Sequence, residues 1–233
     1  MGNAPGAALL EVTLGGLRFA RPRAATLALT GAPCGGDLDR GTAVTARAGS
    51  ELRLTPPATG LRSYLAVRGG IDVESVLGSR STDLLSGLGR SPLRAGDTLP
   101  IGRAVAGEVS EVSAPGPSPA NVLSIDAGPR DDWFAGVALD QLTGTEWTVR
   151  GESDRIGIRL DGPALERSRV GELPSEAMLP GALQVPPDGR PILFSPDCPV
   201  TGGYPVIAVV RTPSLDVAAQ LRPGDAVRFT ISR

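Results

Sequence analysis

The chain contains 233 residues, of which 41% are hydrophobic and only 3% aromatic, and it has 31 glycines and 22 prolines. This length suggests one large or two small domains, and so few aromatic residues imply a core built from Val, Leu, Ile and Ala. The formal net charge is −2 and there is no basic block, which disfavours nucleic-acid binding.

Two residue types are missing from the sequence. It contains no His and no Lys, so all 23 basic residues are Arg. The lack of His excludes Ser-His-Asp and Cys-His catalytic arrangements and His-ligated metals. The lack of Lys excludes a Walker-type phosphate loop and a Schiff-base enzyme. Chemistry must therefore depend on Asp, Glu, Arg, Ser, Thr, Tyr, Cys, backbone amides or a partner.

The two cysteines and the hydropathy pattern bear on localisation. Cys34 and Cys198 are too few for a disulfide framework, so reduced thiols in a cytoplasmic protein are expected. The sequence contains no run of 18 apolar residues, so no membrane span is predicted. The first residues lack the features of a signal peptide.

Most segments of the sequence predict β-strands, because apolar residues either alternate with polar ones or form short runs between Gly and Pro. In chain order these segments are residues 7–13, 26–30, 51–55, 64–67, 155–160, 191–194, 206–210 and 226–231. Helical patterns are short and fall at 81–88, 131–142 and 213–221. Many short strands punctuated by turns favour a mainly β protein made of barrels or sandwiches.

A Pro-rich stretch at 113–121 predicts a linker between a first β lobe at 1–112 and a second at 122–233. A turn pattern recurs at Arg47, Arg94 and Arg222, where Arg is followed by Ala or Pro, then Gly, then a polar residue. The repeat suggests two related barrels.

The first candidate site follows the predicted strand at 64–67. Paired glycines allow close approach to the backbone, and a Gly-Ser-Arg-Ser-Thr segment then enters the predicted helix at 81–88. Helix N-terminal amides, hydroxyls and an Arg fork together suit a phosphate or carboxylate. The alternative is that Ser81 or Thr82 merely caps the helix while Arg80 pairs with a nearby Asp. The candidate residues are Gly69, Gly70, Asp72, Ser79, Arg80, Ser81 and Thr82.

Two segments of the second half supply further candidates. Glu176 and Gln184 lie in a Pro- and Gly-shaped stretch, where a carboxylate could orient a substrate amide or act as a general base. A Thr-Gly-Gly-Tyr sequence could expose backbone amides, a hydroxyl and a phenol to a ligand. The alternatives are a solvated turn carboxylate and a β-bulge or hairpin turn. The second segment contributes Thr201, Gly202, Gly203 and Tyr204.

A fourth stretch, at 128–133, carries adjacent acids at Asp131 and Asp132. They could bind a metal, but neighbouring carboxylates at a helix start more often compensate the helix dipole. No residue is therefore assigned as a metal ligand.

In the same segments the chain resembles the allophanate hydrolase subunit 2-like family, also called the biotin-dependent carboxyltransferase or KipA family. That family includes the C subunit of bacterial 5-oxoprolinase. The resemblance is carried in order by residues 64–72, 76–84, 92–97, 128–134, 153–157, 172–176, 181–187 and 201–205. It spans nearly the whole chain.

The resemblance implies two cyclophilin-like β-barrel lobes and a heteromeric assembly. The expected partners are a B subunit (allophanate hydrolase subunit 1 or KipI-like) and an A subunit, a lactam hydrolase. In the 5-oxoprolinase system the B and C subunits use ATP, with Mg²⁺, to phosphorylate 5-oxoproline, and the A subunit then opens the ring to give glutamate. Catalytic roles are expected for Arg80 and Glu176, with oxyanion donors among Gly69, Gly70, Gly202 and Gly203. ATP is expected to be shared with the partner, and no intrinsic biotin is expected.

Two other function classes remain open. One is the carboxyltransferase component of a biotin-dependent urea carboxylase or allophanate pathway, and the other is a KipA-like regulatory binder of a kinase inhibitor. The chain also departs from the family pattern. Relatives carry several dozen residues before the point matching Gly2, so the first lobe is expected to be incomplete. They usually have Gly at Ala177 and Thr at Val200.

Overall fold

The computed structural model describes residues 1–109, 120–169, 171 and 173–231. The chain divides into two compact units, unit 1 from Met1 to Pro117 and unit 2 from Ser118 to Arg233. The predicted linker lies almost entirely outside the described residues, so its boundaries remain predictions. No helix among the described residues is long and apolar enough to cross a membrane.

Unit 1 is built on an antiparallel four-stranded sheet with the order β1-β6-β3-β4. Its core is aliphatic, with Leu27, Leu29 and Leu65 at 0–1% exposure. A separate pair of strands, β2 and β5, packs its Leu52 into the same core. The strands are β1 (Leu10–Thr13), β2 (Arg18–Ala20), β3 (Ala25–Gly31), β4 (Ala43–Ala46), β5 (Glu51–Arg53) and β6 (Arg62–Val67).

After β6 the described chain of unit 1 runs on to residue 109 through turns and isolated bridges. The helix predicted at 81–88 is wrong. The Asp83 carboxylate accepts hydrogen bonds from the amide of Leu85 at 2.9 Å and the hydroxyl of Ser86 at 2.6 Å. Gly87 and Gly89 have φ of +72° and +81°. Local side-chain bonds and left-handed glycines replace the helical ladder.

Unit 2 contains a closed seven-stranded barrel with the order β11-β12-β9-β8-β15-β7-β14, in which β14 also pairs with β11. β15 runs parallel to β7, and the other barrel pairs are antiparallel. The barrel strands are β7 (Val122–Ala127), β8 (Trp147–Val149), β9 (Gly157–Asp161), β11 (Ala182–Gln184), β12 (Ile192–Phe194), β14 (Val206–Val210) and β15 (Ala226–Ile231).

The remaining elements of unit 2 lie around the barrel. They are a 3₁₀ turn (Asp131–Trp133), α1 (Ala138–Gly144), α2 (Thr212–Ala218) and a two-stranded sheet of β10 (Glu176–Ala177) and β13 (Thr201–Gly202). The helical pattern at 131–142 is therefore split, because Phe134 is extended and bridges to Arg167. Trp147 is fully buried, and its indole donates to the carbonyl of Leu142 at 2.9 Å.

The prediction of a mainly β protein with a few short helices is confirmed, and all eight predicted strands are present in part or whole. The predicted barrel is found in unit 2. In the described part of unit 1 the strands form open sheets instead. Both cysteines are free, with Cys34 buried and Cys198 half-buried.

The recurring turn forms in all three places. Ser50, Asp97 and Asp225 donate backbone hydrogen bonds to the carbonyls of Arg47, Arg94 and Arg222 respectively. The glycine before each has φ between +75° and +94°, which only Gly adopts at no steric cost. The turns at Arg47 and Arg222 lead directly into β5 and β15, so the repeat marks strand starts.

Candidate functional site

The paired glycines of the first predicted site are used internally in unit 1. The Gly69 amide donates to the side chain of Asn3 at 2.9 Å, and the Gly70 amide donates to the carbonyl of Val67 at 2.9 Å. A Cβ on Gly69 would lie 2.0 Å from the carbonyl oxygen of Gly102. Gly69 is thus required by a close backbone crossing, and both amides already have acceptors.

A tight turn precedes Arg80. Val76 and Ser79 exchange backbone hydrogen bonds around Leu77 and Gly78, whose φ values are +50° and +84°. Both central φ values are positive, as in the mirror-image turns that suit hairpins. The Ser79 hydroxyl accepts the amide of Ser81 at 3.1 Å.

Arg80 is exposed and binds the backbone. Its guanidinium donates to the carbonyls of Val73 at 3.1 Å and Gly6 at 3.3 Å. Asp72 is also exposed, and the Thr82 hydroxyl donates to the carbonyl of Arg90 at 2.7 Å. These predicted residues lie in one largely exposed region of unit 1. Because the predicted helix at 81–88 does not form, no helix N-terminus is present there to bind an anion.

A more convergent arrangement lies in unit 2, beside β10 and β13. We call Arg130, Glu176, Gln184, Gly202 and Tyr204 the β10–β13 corner. Glu176 pairs with Gly202 in the two-stranded sheet. The Gln184 side chain is 4% exposed and donates to the carbonyl of Tyr204 at 3.0 Å. The structure therefore brings together residues from both C-terminal segments that the sequence singles out.

Glu176 forms a two-point ion pair with Arg130. The Nε of Arg130 lies 3.0 Å from Oε2 of Glu176, and a second nitrogen contacts Oε1. These hydrogen bonds lower the pKa of the Glu176 carboxyl and raise the pKa of the Arg130 guanidinium. A carboxylate so held is a weak proton acceptor, which favours a role in orientation over general-base chemistry.

Close packing explains Gly202. A Cβ at this position would lie 2.7 Å from Nε2 of Gln184 and 3.0 Å from Sδ of Met178. Gly203 differs, since a Cβ there meets only the carbonyl of Leu173 at 3.6 Å. Thr201 is exposed and pairs with Ala177. The two positions that depart from the family pattern, Ala177 and Val200, thus belong to this small sheet or border it.

The sequence reasoning missed two arginines. Arg130 lies between Pro129 and the acids of the fourth candidate stretch, where the adjacent carboxylates are the stronger sequence signal. One of those carboxylates, Asp132, pairs with Arg169 at 2.6 Å. Arg167 lies over the Tyr204 ring, 5.8 Å from its centroid. An Arg beside Pro at a strand end is a weak signal, and Arg167 has no motif around it.

The described residues form neither a metal site nor a reactive thiol site. Within the described ranges, no group of three or more Cys, Asp and Glu could hold a metal ion. Burial raises the pKa of the Cys198 thiol, and the Cys34 Sγ lies 3.0 Å from the buried hydroxyl of Ser63. Both cysteines therefore have the character of packing residues.

Curated relatives fall into two groups. The chain is 38% identical to the C subunit of 5-oxoprolinase from Escherichia coli, over 98% of this chain and 76% of that protein. The same subunit from Haemophilus influenzae is 34% identical, with the same coverage of both proteins. Urea amidolyase of Lachancea kluyveri is 30% identical over 98% of this chain but only 14% of its own length.

Solved structures agree with the sequence relatives. The urea carboxylase of Kluyveromyces lactis matches with a TM-score of 0.91 and 26% identity, covering 98% of this chain and 23% of that protein. The K. lactis urea amidolyase gives the same TM-score and identity over 16% of its length. The match to the carboxyltransferase domain family, subdomains A and B, extends over residues 1–231. The chain therefore belongs to the carboxyltransferase domain family, subdomains A and B.

Proposed function

We propose that this protein is a subunit of an ATP-dependent 5-oxoprolinase. It acts with a B subunit to phosphorylate 5-oxoproline, and an A subunit then hydrolyses the activated lactam to glutamate. The observation that carries the proposal is the 38% identity to the C subunit of E. coli 5-oxoprolinase over 98% of the chain. The protein is expected to be active only in the heteromer.

The β10–β13 corner supports amide binding. A lactam offers one N–H donor and one carbonyl acceptor. Glu176, kept anionic by Arg130, can accept the N–H, while Arg130 supplies donors for oxygen atoms. Held in this way, the ring is oriented without proton transfer to Glu176. The buried Gln184 fixes the adjacent backbone at Tyr204.

ATP supplies the phosphoryl group that makes the lactam oxygen a leaving group. This chain has no Lys for a phosphate loop, and the Gly69 and Gly70 amides already have internal acceptors. We therefore assign most of the nucleotide binding to the partner subunit. Arg80 is the residue of unit 1 proposed to reach the phosphates.

The alternative is the carboxyltransferase component of a biotin-dependent urea carboxylase. It is favoured by the family match and by the urea amidolyase relatives. Such a reaction needs biotin on a separate carrier, so it predicts activity only when a biotinylated carrier protein is supplied.

The first experiment mixes this chain with its B subunit, ATP, Mg²⁺ and 5-oxoproline, and follows ADP release with and without the A subunit. We expect ADP release that depends on the lactam. If a tight complex forms but releases no ADP, while biotin-dependent carboxyl transfer to urea is detected, the carboxyltransferase alternative holds and our proposal is wrong.

The variants Glu176→Gln and Arg80→Ala should each abolish lactam-dependent ADP release while the protein remains folded. Arg80→Ala should leave the thermal unfolding midpoint nearly unchanged, and Glu176→Gln should lower it only by the contribution of its ion pair. Arg80 is exposed and the Glu176 side chain is 30% exposed, so neither substitution removes many packing contacts. The matched control is Glu146→Gln, which breaks the exposed Arg228–Glu146 ion pair elsewhere in unit 2 and should leave activity intact. Full activity in Glu176→Gln contradicts the site assignment, and full activity in Arg80→Ala contradicts its phosphate role.

A further inference from the structure

Arg167 differs from the neighbouring arginines in its partners. Arg130 is neutralised by Glu176, and Arg169 is neutralised by Asp132 at 2.6 Å. Arg167 donates to the carbonyl of Val185 and lies over the Tyr204 ring, without an ion pair to any carboxylate among the described residues. Among the described carboxylates, Asp188 acts on Arg167 through space but forms no ion pair with it, so the guanidinium has no direct anionic contact.

The Arg167 guanidinium is also partly desolvated. Its Nε is buried and has no hydrogen-bond partner among the described residues. Burial lowers the pKa of this guanidinium below its ordinary value. A half-buried cation without a directly bound anion is costly, because its lost hydration is only partly replaced. An anionic ligand would replace that lost interaction.

Tyr204 gives the cation a fixed geometry. The ring lies beneath the guanidinium at 5.8 Å, a distance at which the π-face attracts a cation. It is 45% exposed, so one side of the stack is open. The phenol hydroxyl makes no hydrogen bond within the described part of the chain. Arg and Tyr donors held together in this way suit a carboxylate.

The Arg167–Tyr204 stack shares Tyr204 with the β10–β13 corner. Gln184 bonds the Tyr204 carbonyl, and Gly202, two residues earlier, pairs with Glu176. The backbone of Arg167 bridges to Phe134, four residues after Arg130. One ligand with an amide and an acid group on the same small ring could therefore engage both features.

We propose that Arg167 binds the carboxylate of the substrate, with Tyr204 as stacking platform and second donor. The inference rests on the proposed function and adds the residue that selects for acidic lactams. 5-Oxoproline carries a carboxylate beside its lactam, whereas urea does not. Arg167 is thus the specificity residue that separates an acidic from a neutral amide substrate.

The test measures binding by calorimetry with the complex of this chain and its B subunit, without ATP. The two probes are 5-oxoproline and 2-pyrrolidone, the same ring without the carboxylate. The wild-type complex should bind the acid about 10- to 100-fold more tightly, the range of a charged hydrogen bond. Arg167→Met, which keeps the packing volume, should lose this preference, and Arg167→Lys should retain part of it.

Arg169→Gln is the matched control, since it removes an exposed cation two residues away that already has a carboxylate partner. It should keep the full preference. The inference is overturned if Arg167→Met still prefers the acid, or if the wild-type complex binds neither probe or both equally. Thermal unfolding of each variant checks that it is folded, and Arg167→Lys supplies the charge-preserving comparison.

Lactam-dependent ADP release is measured in parallel on the wild-type complex. An Arg167-dependent preference for the acid without ADP release supports the carboxylate site and rejects the 5-oxoprolinase function. ADP release with an unchanged preference in Arg167→Met supports the function and rejects the carboxylate role.

Discussion

At the scale of single residues, the glycines of this chain have distinct physical roles. Gly69 and Gly96 both have φ of +94°, which strains any other residue. They differ in surroundings. A Cβ on Gly69 would lie 2.0 Å from the Gly102 carbonyl oxygen, while a Cβ on Gly96 would meet no atom within 4 Å. Substitutions at these two positions therefore distinguish the cost of a left-handed backbone conformation from the cost of a steric clash.

We expect Gly96→Ala to lower the free energy of unfolding by about 1 kcal/mol, the cost of a left-handed non-glycine residue. Gly69→Ala should cost more than about 3 kcal/mol, because the backbone crossing must also move apart. Urea denaturation followed by circular dichroism measures both. Equal losses in the two variants would show that the crossing at Gly102 adapts freely.

The Arg130–Glu176 pair predicts a pH dependence of stability. The folded-state pKa of Glu176 is lowered, so the unfolded state binds its proton first as the pH falls. The pair's contribution is full above the ordinary glutamate pKa of about 4.3 and is lost as the pH falls through the depressed value. Glu176→Gln should therefore show less acid-induced loss of stability than the wild type, measured as urea midpoints from pH 7 to pH 3.

One result would contradict the predicted pH dependence of the Arg130–Glu176 pair. If the stability difference between the wild type and Glu176→Gln is the same at pH 7 and pH 3, Glu176 does not titrate differently in the folded protein. The ion pair would then have no energetic role in folding. Glu146→Gln, at a more exposed pair, is the reference for a nonspecific charge effect.

At the scale of elements, the two-residue strands β10 and β13 set the geometry of the corner. Their pairing places Glu176 opposite Gly202, and the buried Gln184 amide packs against Gly202 from the end of β11. A side chain at position 202 would push this amide away from the Tyr204 carbonyl. Small residues here let side chains of neighbouring strands approach the sheet.

Gly202→Ala should therefore disturb the site, whereas Gly203→Ala should not. The displaced Gln184 amide loses its acceptor in a buried place, which costs about 1–3 kcal/mol. A Cβ at position 203 meets only an ordinary contact at 3.6 Å. Thermal unfolding and lactam-dependent ADP release test the pair of variants. Normal stability and activity in Gly202→Ala would mean that Gln184 does not hold the corner.

At the scale of the whole molecule, the two units differ in how their sheets end. The barrel of unit 2 closes through β11 and β14 and encloses its own core around Leu142, Trp147 and Phe229. Closure leaves no unpaired strand edge in the barrel. In the described residues of unit 1, the four-stranded sheet has β1 and β4 at its edges.

A protein of residues 120–233 is expected to fold by itself. It retains the closed barrel and both tryptophans, with Trp147 fully buried. It should show blue-shifted fluorescence and one cooperative unfolding transition. A separate protein of residues 1–109 should unfold with lower cooperativity, because its sheet is open. A barrel fragment with water-exposed tryptophan emission would show that unit 2 needs the rest of the chain.

Sequence patterns were sufficient to predict the mainly β character, eight of the fifteen strands in the described residues and the three recurring turns. Alternation at 51–55 and the Gly in each turn are local signals, because side-chain period and φ preference depend on neighbouring residues. Local signals also indicated Glu176, Gln184 and the glycines near them. They were misleading at 81–88, where Asp83 and Ser86 favour local hydrogen bonds over a helix.

Which of these residues meet became clear only from the folded chain. Arg130 and Glu176 are 46 positions apart, and the pairing of β10 with β13 sets Glu176 opposite Gly202. The same packing left Arg167 without a direct ion pair among the described residues. Ion pairs and buried donors depend on distances between segments remote in the chain, and no periodicity or short motif encodes such distances.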